Sequence, residues 1–249
     1  MPLVETEGLI IKTHNLSEAD KIVVLMTRDH GMIRGVAKGA KRLNSKFGGG
    51  LEPFSVVQIT YVQKDAVELV SIQRIELIKS NFEAASNPEF LQKFAHLAEL
   101  LISFSPPHDP NHTLYRMVKA CLETAASSAA NLSAVGVYFQ LWLLRLSGLL
   151  PDWSVCHSCG RKLLETEEVG LTDFYQLRCD KCSGRATIRL SAIARLIALS
   201  ARNASPDKFA ESTGGDDAVI VELRPILDGM LSQAVGGRAA REIPLTTGL

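Results

Sequence analysis

The sequence predicts an α+β chain in two parts: a five-stranded β-barrel over residues 1–80, then an α-helical domain over 81–249 carrying an inserted four-cysteine module. Two observations carry this reading. Short runs rich in Val, Ile and Thr give way near residue 80 to apolar residues at three- and four-residue spacing, and two CxxC pairs interrupt the helical part.

The runs 3–13, 21–27, 31–37, 54–62 and 67–78 are separated by polar or glycine-containing breaks and read as strands. In the last of them Val67, Leu69 and Ser71 face one way and Glu68, Val70 and Ile72 the other. Both faces are thus partly apolar, which suits a small closed sheet better than an open one.

In "PEFLQKFAHLAELLISF" the residues Phe90, Phe94, Leu97, Leu101 and Phe104 line one helical face behind a Pro88 start. "SPPHDPNH" breaks this helix and "TLYRMVKACLETAASSAA" resumes the spacing. "SAVGVYFQLWLLRLSGLLP" is apolar nearly all round, so it belongs at the centre of a bundle, ending near Gly148 and Pro151. A fourth helix is expected over 191–202, a flexible polar linker over 203–217, and a last helix over 218–235, interrupted at Pro225 and stopped by Gly236 and Gly237.

Lys plus Arg and Asp plus Glu number 27 each, which removes the strongly basic signature of many nucleic-acid binders; any anionic partner must meet local charge. The start "MPLVETEGLI" has two glutamates where an export signal would be basic, and the apolar stretch 137–150 is broken by Gln140 and Arg145. A cytoplasmic protein without a membrane partner is expected. Five cysteines, four of them in CxxC pairs, argue against a disulfide framework.

Cys156-x2-Cys159 and Cys179-x2-Cys182 stand nineteen residues apart, a spacing that lets two knuckles converge on one tetrahedral centre. Gly160 and Gly184 follow closely and can take the positive φ angles of such turns. One structural Zn2+ is expected, preferred over an iron–sulfur cluster or free thiols, in a module spanning about 153–188. Four thiolates leave no open coordination position for catalysis. His157 would have to displace a cysteine to bind, and Cys121 reads as a small core residue.

"RGVAKGAKRLNSKFGGG", residues 34–50, follows the third strand and holds Arg34, Lys38, Lys41, Arg42 and Lys46, with no acid between Asp29 and Glu52. Gly35 and Gly39 are four apart and Ala-Lys-Arg follows, so the GxxxxGK[ST] spacing of a phosphate loop is not met. Two readings stay open: cations that neutralise the phosphates of a nucleic acid, or a solvated loop. Phe47, Phe54 and Tyr61 could stack bases as small barrels do, although each also suits a core position.

No HExxH, GxSxG or carboxylate cluster at ligand spacing occurs, and the histidines at 14, 30, 96, 108, 112 and 157 are scattered. Glu18 and Asp20 sit in a polar bend and read as turn and cap residues. The chain is expected not to be an enzyme. A metal-dependent nuclease and a zinc-ribbon adaptor between proteins are the alternatives.

The ordered set "EADKIVVLMTRDHGMIRGVAKGAKR", Ser45, "LEPFSVV", "GLLPDWSVCHSCG" and the second CxxC resembles the RecO family of bacterial recombination mediators over residues 1 to about 190. The resemblance implies an OB-type barrel, a helical domain and a zinc module inserted in it. It also implies DNA repair and recombination without catalysis: binding of single- and double-stranded DNA, annealing of complementary strands, and loading of RecA, with RecR, onto strands covered by single-strand-binding protein. Carried onto this chain, Arg34, Lys38, Lys41, Arg42 and Lys46 become the DNA-contact candidates. The family docks the acidic tail of single-strand-binding protein on its helical domain, for which Arg116, Lys119 and Arg145 are candidates here. The terminal "GGRAAREIPLTTGL", residues 236–249, departs from the family's usual ending, although Arg238 and Arg241 keep positive charge.

Overall fold

Val- and Ile-rich runs become strands almost residue for residue in the computed structural model, which describes residues 3–63, 68–184, 188–213 and 217–239. They are β1 (Leu3–Asn15), β2 (Lys21–Thr27), β3 (Gly31–Ala37), β4 (Val56–Val62) and β5 (Leu69–Lys79). Residue 67, expected to open the last strand, lies outside the described residues, as do 240–249 with Arg241; of Arg238 only the backbone is described.

The strands close a barrel in the order β1-β2-β3-β5-β4, with β3 and β5 parallel and the other pairs antiparallel. Closure depends on β1, whose 13 residues serve two neighbours: Leu3 to Leu9 pair with β4, and Gly8 to Asn15 with β2, with a bulge between Ile10 and Lys12. The parallel seam depends on Gly35, where a Cβ would lie 2.7 Å from Ile72 Cγ1.

The interior is filled by aliphatic side chains such as Ile10, Leu25, Ile33, Ile59 and Val70. The loop after β3 adds Phe47 and Leu51 to that core. Gly50 is required there because a Cβ would meet Ile75 Cγ2 at 2.6 Å. Part of the loop's glycine content therefore serves packing.

Three helices follow: α1 (Phe82–Ala85), α2 (Pro88–Phe104) and α3 (His112–Ser127). Asn87 and Asn111 cap α2 and α3, accepting from Glu89 N and Leu114 N. All five apolar residues anticipated for α2 are buried. Phe90 and Phe94 meet Phe54 edge-on at centroid distances of 6.2 and 5.7 Å. On α3, Tyr115 Oη donates to Glu7 Oε1 of β1 at 2.9 Å, and Lys119 Nζ does so at the same distance. These contacts explain why α1–α3 share a compact unit, Met1–Ala129, with the barrel, although the change from strand to helix falls at residue 80 as expected.

The second unit, Ala130–Leu249, is built on α4 (Leu132–Leu146), which is buried on nearly every side. Two short sheet strands, β6 (Val169–Leu171) and β7 (Leu177–Arg178), precede α5 (Asp180–Ser183), and β8 (Ile188–Leu190) completes the order β7-β6-β8. Then come α6 (Ala192–Ser200), α7 (Pro206–Ser212) and α8 (Asp217–Ala239).

Two expectations are corrected here. The segment 203–217 contains α7, seated by the wholly buried Phe209 against Tyr138 at 5.4 Å; one aromatic in a polar stretch anchors what composition marked as linker. The last helix also runs unbroken through Pro225 and past Gly236. Pro225 and Val221, the residue four back whose carbonyl loses its donor, are both exposed, so water can take the place of the missing hydrogen bond. A glycine costs about 1 kcal/mol in a helix interior, which 23 residues absorb.

Candidate metal centre and nucleic-acid interface

The first knuckle is a tight turn in which Gly160 N donates to Cys156 O at 2.8 Å, with Gly160 at φ +72°. In the second, Cys179 is the N-cap of α5, and both Cys182 N and Ser183 N donate to its carbonyl, at 2.9 and 2.8 Å. A backbone bond from His157 N to Leu177 O, 2.7 Å, ties the two together.

As a result the Sγ atoms of Cys156, Cys159, Cys179 and Cys182 all lie within 4.8 Å of one another. The residues fit a tetrahedral thiolate centre: a metal–sulfur distance of about 2.3 Å implies sulfur–sulfur edges of about 3.8 Å, and Cys159 and Cys179 are 3.9 Å apart. His157 lies outside the set, exposed in its turn.

The protonation balance points the same way. Burial raises the Cys156 thiol, but N–H groups of Cys179, Cys159 and Ser158 directed at its sulfur outweigh this and bring it to about 6. Neighbouring Cys179 and Cys159 push Cys182 up to about 12. Four crowded sulfurs ionise in part, and a bound cation is what lets all four do so.

A buttress not anticipated from the sequence surrounds the centre. Glu167 accepts from Arg161, Leu164 N (3.0 Å) and Asp180 N (3.1 Å), so one carboxylate ties both knuckles and the loop between them. The Arg161 guanidinium holds the Glu167 carboxyl down at about 2. Arg195 of α6, almost wholly buried, donates to Trp153 O at 3.3 Å and to Leu164 O, joining α6 to the module. Buried partners of this kind carry no periodic signal; only the closeness of Arg161 and Glu167 in the chain hinted at a pair.

The cations of the 34–50 stretch are all exposed. Arg34 stands on β3 with its guanidinium 3.6 Å from Glu68. Lys38 and Arg42 extend from the loop, Lys41 Nζ reaches Ser17 O at 3.2 Å, and Lys46 lies over the Phe47 ring, 5.2 Å from its centroid. The root of the loop is fixed by Asp20, whose Oδ1 accepts from Gly39 N at 2.8 Å, in keeping with a turn role for this residue. Phe47, Phe54 and Tyr61 are all at most 4% exposed, so they pack the core and offer no stacking face.

Of the helix cations, Lys119 is committed to Glu7. Arg145 lies over the Trp142 ring at 5.5 Å, and Arg116 is exposed on α3. Cys121 is wholly buried, which raises its thiol. No helix among the described residues is long and apolar enough to cross a membrane.

The family models divide the chain where strands give way to helices, not between the two compact units. The family model for the N-terminal part of recombination protein O matches residues 1–81, and that for its C-terminal part matches residues 94–241. The chain is 34% identical to the DNA repair protein RecO of Koribacter versatilis over 161 residues, 65% of each chain. It is likewise 34% identical to that of Bifidobacterium adolescentis over 168 residues, 66% of each, and 27% identical to that of Dehalococcoides mccartyi over 183 residues, 74% of this chain and 71% of the other. The first two alignments span just under two thirds of those relatives' own length. Barrel, helical unit, four-cysteine cluster and matched sequence agree: the chain belongs to the RecO family.

Proposed function

We propose that this protein is a DNA-binding recombination mediator in DNA repair, acting by charge and geometry without covalent chemistry. The observation that carries the reading is the concentration of exposed cations, Arg34, Lys38, Lys41, Arg42 and Lys46, on one strand and loop of a closed barrel in a chain of zero net charge. Such cations bind single- and double-stranded DNA alike by releasing counterions from phosphates, whatever the base sequence.

A strand held this way keeps its bases available, so the protein anneals complementary strands and, with RecR, helps load RecA where single-strand-binding protein covers the DNA. The acidic tail of that protein needs a cation beside an apolar face. Arg145 over Trp142 and the exposed Arg116 supply cations; Lys119, engaged by Glu7, is the weakest of the three candidates. The ion suited to the four cysteines is zinc: when bound, it would close its shell with these thiolates and hold the two CxxC turns together. The setting is cytoplasmic, at the nucleoid.

The test is binding of a labelled single strand, followed by anisotropy, to the wild type and to the variant Lys38→Ala/Lys41→Ala/Arg42→Ala. The variant is expected to keep its circular dichroism spectrum and lose affinity on every sequence. Unchanged affinity would remove the loop from the interface. Strand cleavage by the wild type in magnesium or manganese would favour a nuclease instead, and failure to bind any oligonucleotide at low salt would favour a zinc-ribbon adaptor.

A further inference from the structure

At the tip of the cationic loop stands a residue with no part in the fold. Leu43 is 101% exposed, beside Arg42 and within three residues of Lys41 and Lys46. Lone exposed leucines are ordinary; this one is distinguished by the frame that holds it out.

The loop's first limb is fastened to the β1–β2 turn by three bonds: Gly39 N to Asp20 Oδ1, 2.8 Å; Lys41 N to Ala19 O, 2.9 Å; and Lys41 Nζ to Ser17 O, 3.2 Å. Its second limb is fixed where Phe47 enters the barrel core. Between them Ser45 N donates to Arg42 O at 3.0 Å, closing a turn whose interior positions are Leu43 and Asn44. An apolar side chain is therefore presented to water in a braced turn, next to Arg42 in the chain, with no acid in the sequence between Asp29 and Glu52.

Water gives that side chain nothing, whereas the gap between two base faces would bury it. Cations that engage phosphates on either side would set the approach of this turn, and apolar wedges of duplex-bending proteins, leucine among them, enter and open base steps. We propose that Leu43 is a wedge that inserts between adjacent bases of the strand held by the loop. This rests on the loop being the DNA contact, and it extends that reading from where the strand is bound to how it is held: unstacked at one step, with pairing edges turned outward.

The test uses a deoxyadenylate oligonucleotide carrying 2-aminopurine, whose fluorescence rises when stacking is lost. The protein, its Leu43→Ala and Leu43→Phe variants and the triple cation variant are each added to saturation as judged by anisotropy. The wild type and Leu43→Phe are expected to raise the fluorescence. Leu43→Ala, which removes no contact within the protein, is expected to bind within about threefold of the wild type and to lose at least about half of the rise. An equal rise with Leu43→Ala, while the triple variant binds weakly, would overturn the wedge and leave the loop as the DNA contact. Undiminished binding by the triple variant would overturn the loop assignment and the wedge with it.

Discussion

Removing Lys38, Lys41 and Arg42 together changes how binding responds to salt, and the size of the change follows from the number of cations that meet phosphates. Each phosphate neutralised on a single strand contributes about −0.7 to the slope of log K against log salt concentration. Five cations give about −3.5 and the two that remain in the variant about −1.4. Raising salt from about 50 to about 200 mM should then weaken the wild type about 130-fold and the variant about 7-fold.

The structure sharpens this for individual residues. Lys41 and Lys46 each contact a neutral group, the Ser17 carbonyl and the Phe47 ring, and keep their charge available. Arg34 faces Glu68, so it contributes only if that exposed pair opens. If the pair stays closed, the wild-type slope is about −2.8 and Arg34→Ala leaves it there. Anisotropy titrations of a labelled oligonucleotide across a salt series measure all of these. The same slope for the triple variant and the wild type would remove these three cations from contact with phosphates, because lost cations that met phosphates must reduce it.

The purified protein should carry about one zinc ion per chain by elemental analysis, and chelation should reduce the thermal stability of the second unit while the barrel's circular dichroism signal survives. Glu167→Gln, which disrupts the carboxylate tying both knuckles, should weaken metal binding by about 10- to 100-fold in a competition with a chromogenic chelator. Glu7→Gln should cost about 1–2 kcal/mol at neutral pH in denaturant titrations, through the lost charge-assisted bond to Lys119. Burial raises the Glu7 carboxyl, but the bonds from Lys119 and Tyr115 prevail and hold it below 4.5; its contribution is therefore present above that value and lost as the pH falls through the folded-state pKa, where variant and wild type should converge.

What the sequence disclosed and what it withheld follow physical lines. The strands were legible because each is a run of Val and Ile bounded by glycine or polar turns, and α2 because its buried residues recur at helical spacing. The metal centre was legible because its ligands come as two local pairs. Helix α7 was hidden because a single residue, Phe209, anchors it, and the continuity of α8 because a proline on a solvent face can be tolerated where a buried one would not be. The engagement of Lys119 by Glu7 joins residues 112 apart in the chain, which no local pattern records. The same limit hides Arg195, whose burial and bond to Trp153 O, 42 residues away in the chain, leave no local pattern.

In the proposed role this chain pairs strands that another protein covers. Annealing of complementary oligonucleotides coated with single-strand-binding protein, followed in time with and without the protein, tests it most directly. Faster annealing with the wild type, and loss of that acceleration in the Lys38→Ala/Lys41→Ala/Arg42→Ala variant, are the expected results. An annealing rate that the wild-type protein leaves unchanged would contradict it.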